Sequence, residues 1–392
     1  MLIGTQNLSS FLLGEPEKCT VAIIRGISTQ NYVEVLMSVR NPTVFVAVLL
    51  VIVSSLVPQE TVAQNSTNPY AIVEGWAKMP SGRVMGAVGK AKVDPDGRHI
   101  WAVVRCDAGP EQFGSECVDS DLDPILKFDP DGNVVESFGS GLFIWPHGID
   151  VDSDGNVWVT DAVSDNNIPE GDDRGHHVIK FSSAGEVLMT LGTPGETGDG
   201  PNHFSSPSDV AVAPNGDVFI ADGHNANGNN RVMKYNSRGE FLMSWGETGY
   251  APGQFRALHA IALHSDGRVF VGDRSNSRIQ IFDQEGNHSA TWTQFGRPSG
   301  IAFDDHGRIF VADSESDNVQ NPGYEMGIRI GEVETGWVKE FIRFPWANPH
   351  ILPGNGAEFV AVDREGNLYG GEPVPNPHVN ARTLRKYVRV RP

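Results

Sequence analysis

Between residues 85 and 372, apolar and polar positions alternate in short runs broken by Gly-containing turns. Four segments align on those turns: PHGIDVDSDGNVWVTD (146–161), PSDVAVAPNGDVFIAD (207–222), LHAIALHSDGRVFVGD (258–273) and PSGIAFDDHGRIFVAD (298–313). Each sets an alternating run before a β-branched and aromatic run, the pattern of a hairpin. A second hairpin follows three of them, in HVIKFSSAGEVLMTLG, RVMKYNSRGEFLMSWG and RIQIFDQEGNHSATWT. Four strands per unit predict one blade of a propeller.

Two more units complete a ring of six. The first is KVDPDGRHIWAVVR with ILKFDPDGNVVESFG, and the last is FVAVDREGNLYGGE with RTLRKYVRV. The expected fold is therefore all-β, a six-bladed propeller with four antiparallel strands per blade. The spacing between units is uneven, which places the long insertions after the blade-closing aspartates, at one mouth of the channel. The boundaries that follow are an N-terminal extension over 1–64, a lead-in over 65–84 and the propeller over 85–392.

The run VFVAVLLVIVSSLV (44–57) breaks this pattern. It is apolar but shorter than the ~18–20 residues of a spanning helix, which suits a secretory signal. Cleavage near Ala63 and a true start at Met37 fit that reading. The protein is then secreted or periplasmic, and it meets a membrane only if the segment stays uncleaved.

Export changes the meaning of the cysteines. Cys106 and Cys117 follow the signal, and an even pair in an oxidising compartment suggests a disulfide worth about 2–3 kcal/mol. The alternative is a thiolate metal site. Composition fits a turn-rich β fold, with 44 Gly and 25 Pro. The net charge of −19 argues against nucleic acid, which needs a basic footprint. Many of the acids sit in turns such as DPDG and DSDG, where Asp caps the backbone.

The candidate chemistry lies at one repeated position. His147 and His259 each stand fourteen residues before the closing Asp of their units, where Ser208 and Ser299 stand in others. His350 in NPHILP is assigned to the same phase of the last blade. Three imidazoles from alternate blades would face one axis and form an open zinc site. Ligand type alone leaves copper, iron or nickel open.

Arg274 follows Asp273, and Arg105 takes the matching place in the first unit. Their guanidinium forks suit a carboxylate, or else inter-blade salt bridges. His224 in ADGHNANGNN is placed to act as a base near a metal, or to order a polar loop.

These segments carry a resemblance. FIWPHGIDVDSDGNVWVTDA, NHFSSPSDVAVAPNGDVFIADG, PGQFRALHAIAL and GDRSNSRIQIF are similar to the NHL-repeat propellers, and among them the peptidyl-α-hydroxyglycine α-amidating lyases. The resemblance implies zinc on His147, His259 and His350, with Arg105 and Arg274 in catalysis. It puts His224 where the family has a catalytic tyrosine. It implies a calcium held through the backbones of Ala91 and Ile149, but the calcium-binding Asp of the family is Ile351 here. The substrate implied is a small molecule or peptide carrying a carboxylate, an N-acyl-α-hydroxyglycine cleaved to a primary amide and glyoxylate. The alternatives are a non-enzymatic propeller that binds a protein or glycan, and a metal-dependent propeller hydrolase.

Overall fold

A computed structural model describes residues 20–27, 32–39, 68–107, 112–225, 227–344, 356–371 and 384–390. Contacts divide the chain into two units, 1–65 and 66–392. In the first, Thr20–Ile27 and Tyr32–Val39 pair as an antiparallel ribbon, so Met37, the candidate start, lies inside its second strand. Both segments are rich in β-branched residues, which favours strands. The apolar run 44–57 and Ala63 lie outside the described residues. Among the described residues, no helix is long and apolar enough to cross a membrane.

The second unit is six sheets of four antiparallel strands. Blade one runs from the inner strand Ala87–Val93 through Ile100–Arg105 and Ile125–Phe128 to Val134–Phe138. Blades two to five begin with the inner strands Pro146–Val151, Pro207–Val212, Leu258–Leu263 and Pro298–Phe303. Blade six begins with Phe359–Val362 and continues through Leu368–Gly371 and Arg385–Arg389. Its outer strand is Tyr70–Val73, which pairs with Arg385–Arg389. This strand lies within the segment read from the sequence as a lead-in. Tyr70–Val73 supplies the fourth, outermost strand of blade six.

Alternation along the strands builds a core between each pair of blades. Trp101, Val103 and Phe138 of blade one meet Ile149, Val157 and Phe181 of blade two. Phe359 and Tyr369 of blade six meet Val88, Ile100 and Phe128 of blade one, which closes the circle. Each fully buried side chain of this kind contributes roughly 1.5–3 kcal/mol. The turn acids behave as expected: Asp152, for example, accepts the backbone N–H groups of Asp154 and Asn156.

The blade-closing aspartates do a second job. Asp161, Asp222, Asp273 and Asp313 are fully buried. Asp161 accepts the N–H groups of Ile144 and Trp145 at 2.7 and 2.9 Å, just before the inner strand of its own blade. Asp222 accepts from Ser205, Asp273 from Arg256 and Asp313 from Arg297 in the same way. The repeated acid thus fixes the approach to the position where His or Ser stands.

Candidate metal centre

That position is a β-bulge. In blade four Leu258 pairs with Asp273 and Ala260 with Gly272, leaving His259 as the extra residue. Ser208 and Ser299 are extra in blades three and five, and His147 with Gly148 faces Thr160 in blade two. A bulge turns its side chain out of the alternating pattern. Here it turns the side chain towards the axis. In blade one the extra residue is Gly89, where an added Cβ would lie 2.6 Å from the carbonyl oxygen of His147.

The intervening serines orient the imidazoles. His147 donates from Nδ1 to the carbonyl oxygen of Ser208 at 2.7 Å, and His259 donates to that of Ser299 at 2.8 Å. With the proton on Nδ1, each Nε2 carries a lone pair. Both Nε2 atoms are buried without a hydrogen-bond partner, and so is Nε2 of His224. The rings of His147, His224 and His259 stand 4.7–4.8 Å apart. One ligand atom from each falls within a 4.8 Å group. Burial, opposed by Glu358 and helped by His259 and Arg105, brings the His147 imidazole down to about 3. Burial, then His147, His259 and Arg274, holds His224 well below its ordinary value. Imidazole nitrogens that converge in this way fit a zinc-like cation.

Glu358 shares this space. It is 4% exposed, and its Oε1 lies 3.5 Å from His147 Nε2 and 3.3 Å from His259 Nε2. Burial would raise its carboxyl, but the neighbouring imidazoles of His259 and His147 outweigh that and hold it well below the usual carboxylate range.

Two arginines border the cluster. Arg105 is fully buried, donates from Nε to the carbonyl oxygen of Pro146, and lies 4.1 Å over the Trp145 ring. Its two terminal nitrogens have no partner. Burial draws its basicity down, opposed by Glu116, Glu358 and Asp161. Arg274, also buried, meets Glu315 at 3.2 Å, and Arg297 holds the same carboxylate at 2.7 Å. Trp145 packs against His147 and His224. Cys106 and Cys117 form a disulfide beside Arg105, which answers the choice between disulfide and thiolate site.

The sequence placed most of these residues. The structure gathers His147, His259, Arg105 and Arg274 at one mouth, and it brings His224 into the imidazole cluster itself. His350 and Ile351 lie outside the described residues. Among the described residues, Glu358 stands immediately before Phe359–Val362, the inner strand of blade six to which the sequence assigned His350. The signal was present: Glu358 stands fourteen residues before Glu372, the spacing of His147 and His259 to their closing aspartates. An insertion hid it by leaving a PH dipeptide upstream. Trp145, Glu116 and Glu315 had no periodic signal. Ala91 and Ile149, the calcium candidates, pair with Ala102 and Val159 on adjacent inner strands. In the same channel Lys90 already sets its ammonium against both oxygens of Asp209, at 2.6 and 2.7 Å.

Comparison with known proteins agrees with the fold. The NHL repeat model matches residues 143–167, 204–235, 255–282 and 295–320. Peptidyl-glycine alpha-amidating monooxygenase B of Xenopus laevis is 40% identical over 166 residues, 40% of this chain and 17% of that protein. The probable peptidyl-alpha-hydroxyglycine alpha-amidating lyase of Caenorhabditis elegans is 31% identical over 216 residues, 52% of this chain and 57% of the relative. Human NHL repeat-containing protein 3 is 37% identical over 191 residues, 46% of this chain and 52% of the relative. The chain thus spans under a fifth of the Xenopus protein and little more than half of the other two. It is a six-bladed β-propeller in which the NHL repeat model matches segments of blades two to five, and it is similar to the peptidyl-α-hydroxyglycine amidating lyases.

Proposed function

We propose that the protein is a zinc-dependent carbon–nitrogen lyase that cleaves an N-acyl-α-hydroxyglycine to a primary amide and glyoxylate. One observation carries the reading. Three buried imidazole nitrogens without partners converge beside an arginine whose terminal nitrogens are also free.

The donor set fits zinc, with His147 and His259 as ligands. Bound there, zinc would supply Lewis acidity to an alcohol oxygen. The residues of the chain do the rest. Arg105 offers two N–H groups to the substrate carboxylate in a dry site, where such a pairing is strong. Arg274, steadied by Glu315, balances charge on the other side. His224 stays neutral, so its lone pair is available to take the hydroxyl proton. The O–H electron pair becomes the C=O bond of glyoxylate, and the C–N bond breaks. The amide nitrogen then receives the proton from His224, so no net proton is gained or lost. The similarity to the Caenorhabditis elegans lyase supports this chemistry. Export through the segment 44–57 suits the disulfide.

The test is glyoxylate release from α-hydroxyhippurate by zinc-loaded protein. Turnover that disappears in a His147→Ala/His259→Ala variant is expected. No turnover by the loaded wild-type protein would remove the lyase assignment. The alternative reading, a propeller that binds a protein or glycan without catalysis, would then stand.

A further inference from the structure

Three imidazoles meet at the channel mouth, yet only two of them belong to the ring. His147 and His259 rise from the bulges of blades two and four. His224 comes from the loop that follows the second strand of blade three. The third alternate blade offers Glu358 at the same phase. Its N–H donates to the carbonyl oxygen of Gly371 at 2.9 Å, which anchors it to the second strand of blade six. Around the ring, blades two, four and six carry His, His and Glu, while blades one, three and five carry Gly, Ser and Ser.

The distances fit a shared ion. Two donors about 2.0–2.1 Å from a tetrahedral metal lie roughly 3.3–3.4 Å from each other. Glu358 Oε1 stands 3.3 and 3.5 Å from the two ring Nε2 atoms. In the singly protonated imidazoles, whose one proton goes to Ser208 or Ser299, those nitrogens present lone pairs. A carboxylate oxygen set between two such nitrogens in a buried space needs a positive charge there, either protons on the imidazoles or a metal ion between the three groups. Glu358 would also cut the charge of a divalent ion beside two buried arginines.

We propose that Glu358 is the third ring ligand of a divalent metal, with His147 and His259, and that metal retention does not need His224. This rests on the metal reading above and deepens it, since it leaves His224 free for proton transfer. Histidine and carboxylate donors of this kind suit zinc.

The experiment measures metal on purified, folded full-length protein, without reference to turnover. Zinc and cobalt(II) affinities are determined for wild type, Glu358→Gln, Glu358→His and His224→Ala. Loss of an outer-shell partner already costs about 10–100-fold, so Glu358→Gln is expected to bind more than about 100-fold more weakly. Glu358→His should restore binding, and His224→Ala should keep one metal per chain within about 3-fold of wild-type affinity. X-ray absorption on the wild-type zinc form gives an answer even if a variant misfolds. Two imidazoles per zinc support the proposal; three overturn it, as does wild-type affinity in Glu358→Gln. Absence of metal binding by the wild type overturns it as well. A metal-loaded wild type that spares α-hydroxyhippurate would remove the lyase reading and leave the Glu358 assignment standing.

Discussion

The two ends of the central channel are built from the same six strands, yet they treat charge in opposite ways. At the start of the strands, the Nε2 atoms of His147, His224 and His259 and the terminal nitrogens of Arg105 lack partners. At the far end, Lys90 pairs with Asp209, and Lys92 meets Asp150 at 2.7 Å. Those carboxylates are also tied to the next blades. Asp209 accepts the N–H of Ile261 and Asp150 that of Val212. The paired end also has room, with a cavity of 580 Å³ lined in part by Lys90, Asp150 and His264. The contrast teaches that space does not mark the site. The roomier end has its lysines and aspartates paired, while a cluster of imidazole and guanidinium nitrogens without hydrogen-bond partners lies at the other.

The comparison can be broken most sharply at the paired end. Lys90→Met strands the buried Asp209 carboxylate and should cost about 3–5 kcal/mol in chemical denaturation. Adding Asp209→Leu should recover part of that loss, because it removes the stranded charge but leaves the Ile261 N–H without its acceptor. A Lys90→Met protein as stable as wild type would mean that the pair does not hold the ring.

At the open end the effect moves from stability to turnover. Arg105→Leu should lower kcat/KM for α-hydroxyhippurate by about 100–1,000-fold. Its unfolding free energy should change by less than about 1 kcal/mol, because the lost guanidinium left its terminal nitrogens unpaired. A large fall in stability with full activity would place Arg105 with the structural charges.

The smallest effect sharpens the pH behaviour of the paired end. Burial would raise the Asp94 carboxyl, but Lys127, the Asp96 N–H and Trp101 Nε1–H outweigh it and hold the group below its ordinary 3.8. A depressed carboxyl stabilises the fold above its unfolded value and loses that contribution as pH falls through its folded value. Asp94→Asn should therefore cost about 1 kcal/mol at pH 7, a modest figure because the site is partly solvated. The difference from wild type should shrink as pH falls below 3.8 and on through the lower folded value. A difference that persists there would trace the loss to geometry instead of charge.

Much of this was legible in the chain. The Asp-Gly turns and the fourteen-residue spacing gave the blades, the bulge position and two of the ring residues, since a strand repeat of period two leaves an imprint on every hairpin. Arg105 and Arg274 could be read by phase. Glu358 obeyed the same spacing but was masked by an insertion and by the PH dipeptide ahead of it. Tyr70–Val73 was missed because four residues carry too little pattern to announce a strand, and its partner lies more than 300 residues away.

The sequence by itself determined the blade, its turns and the phase at which side chains point to the axis. These depend on local alternation and on residues a few positions apart. Only the tertiary structure decided which residues meet there. The ring brings blade six against blade one, sets the Ser208 and Ser299 carbonyls behind two imidazoles, and places His224 and Glu358 among them. Those meetings follow from closure of the circle, and closure joins segments whose separation along the chain carries no local signal.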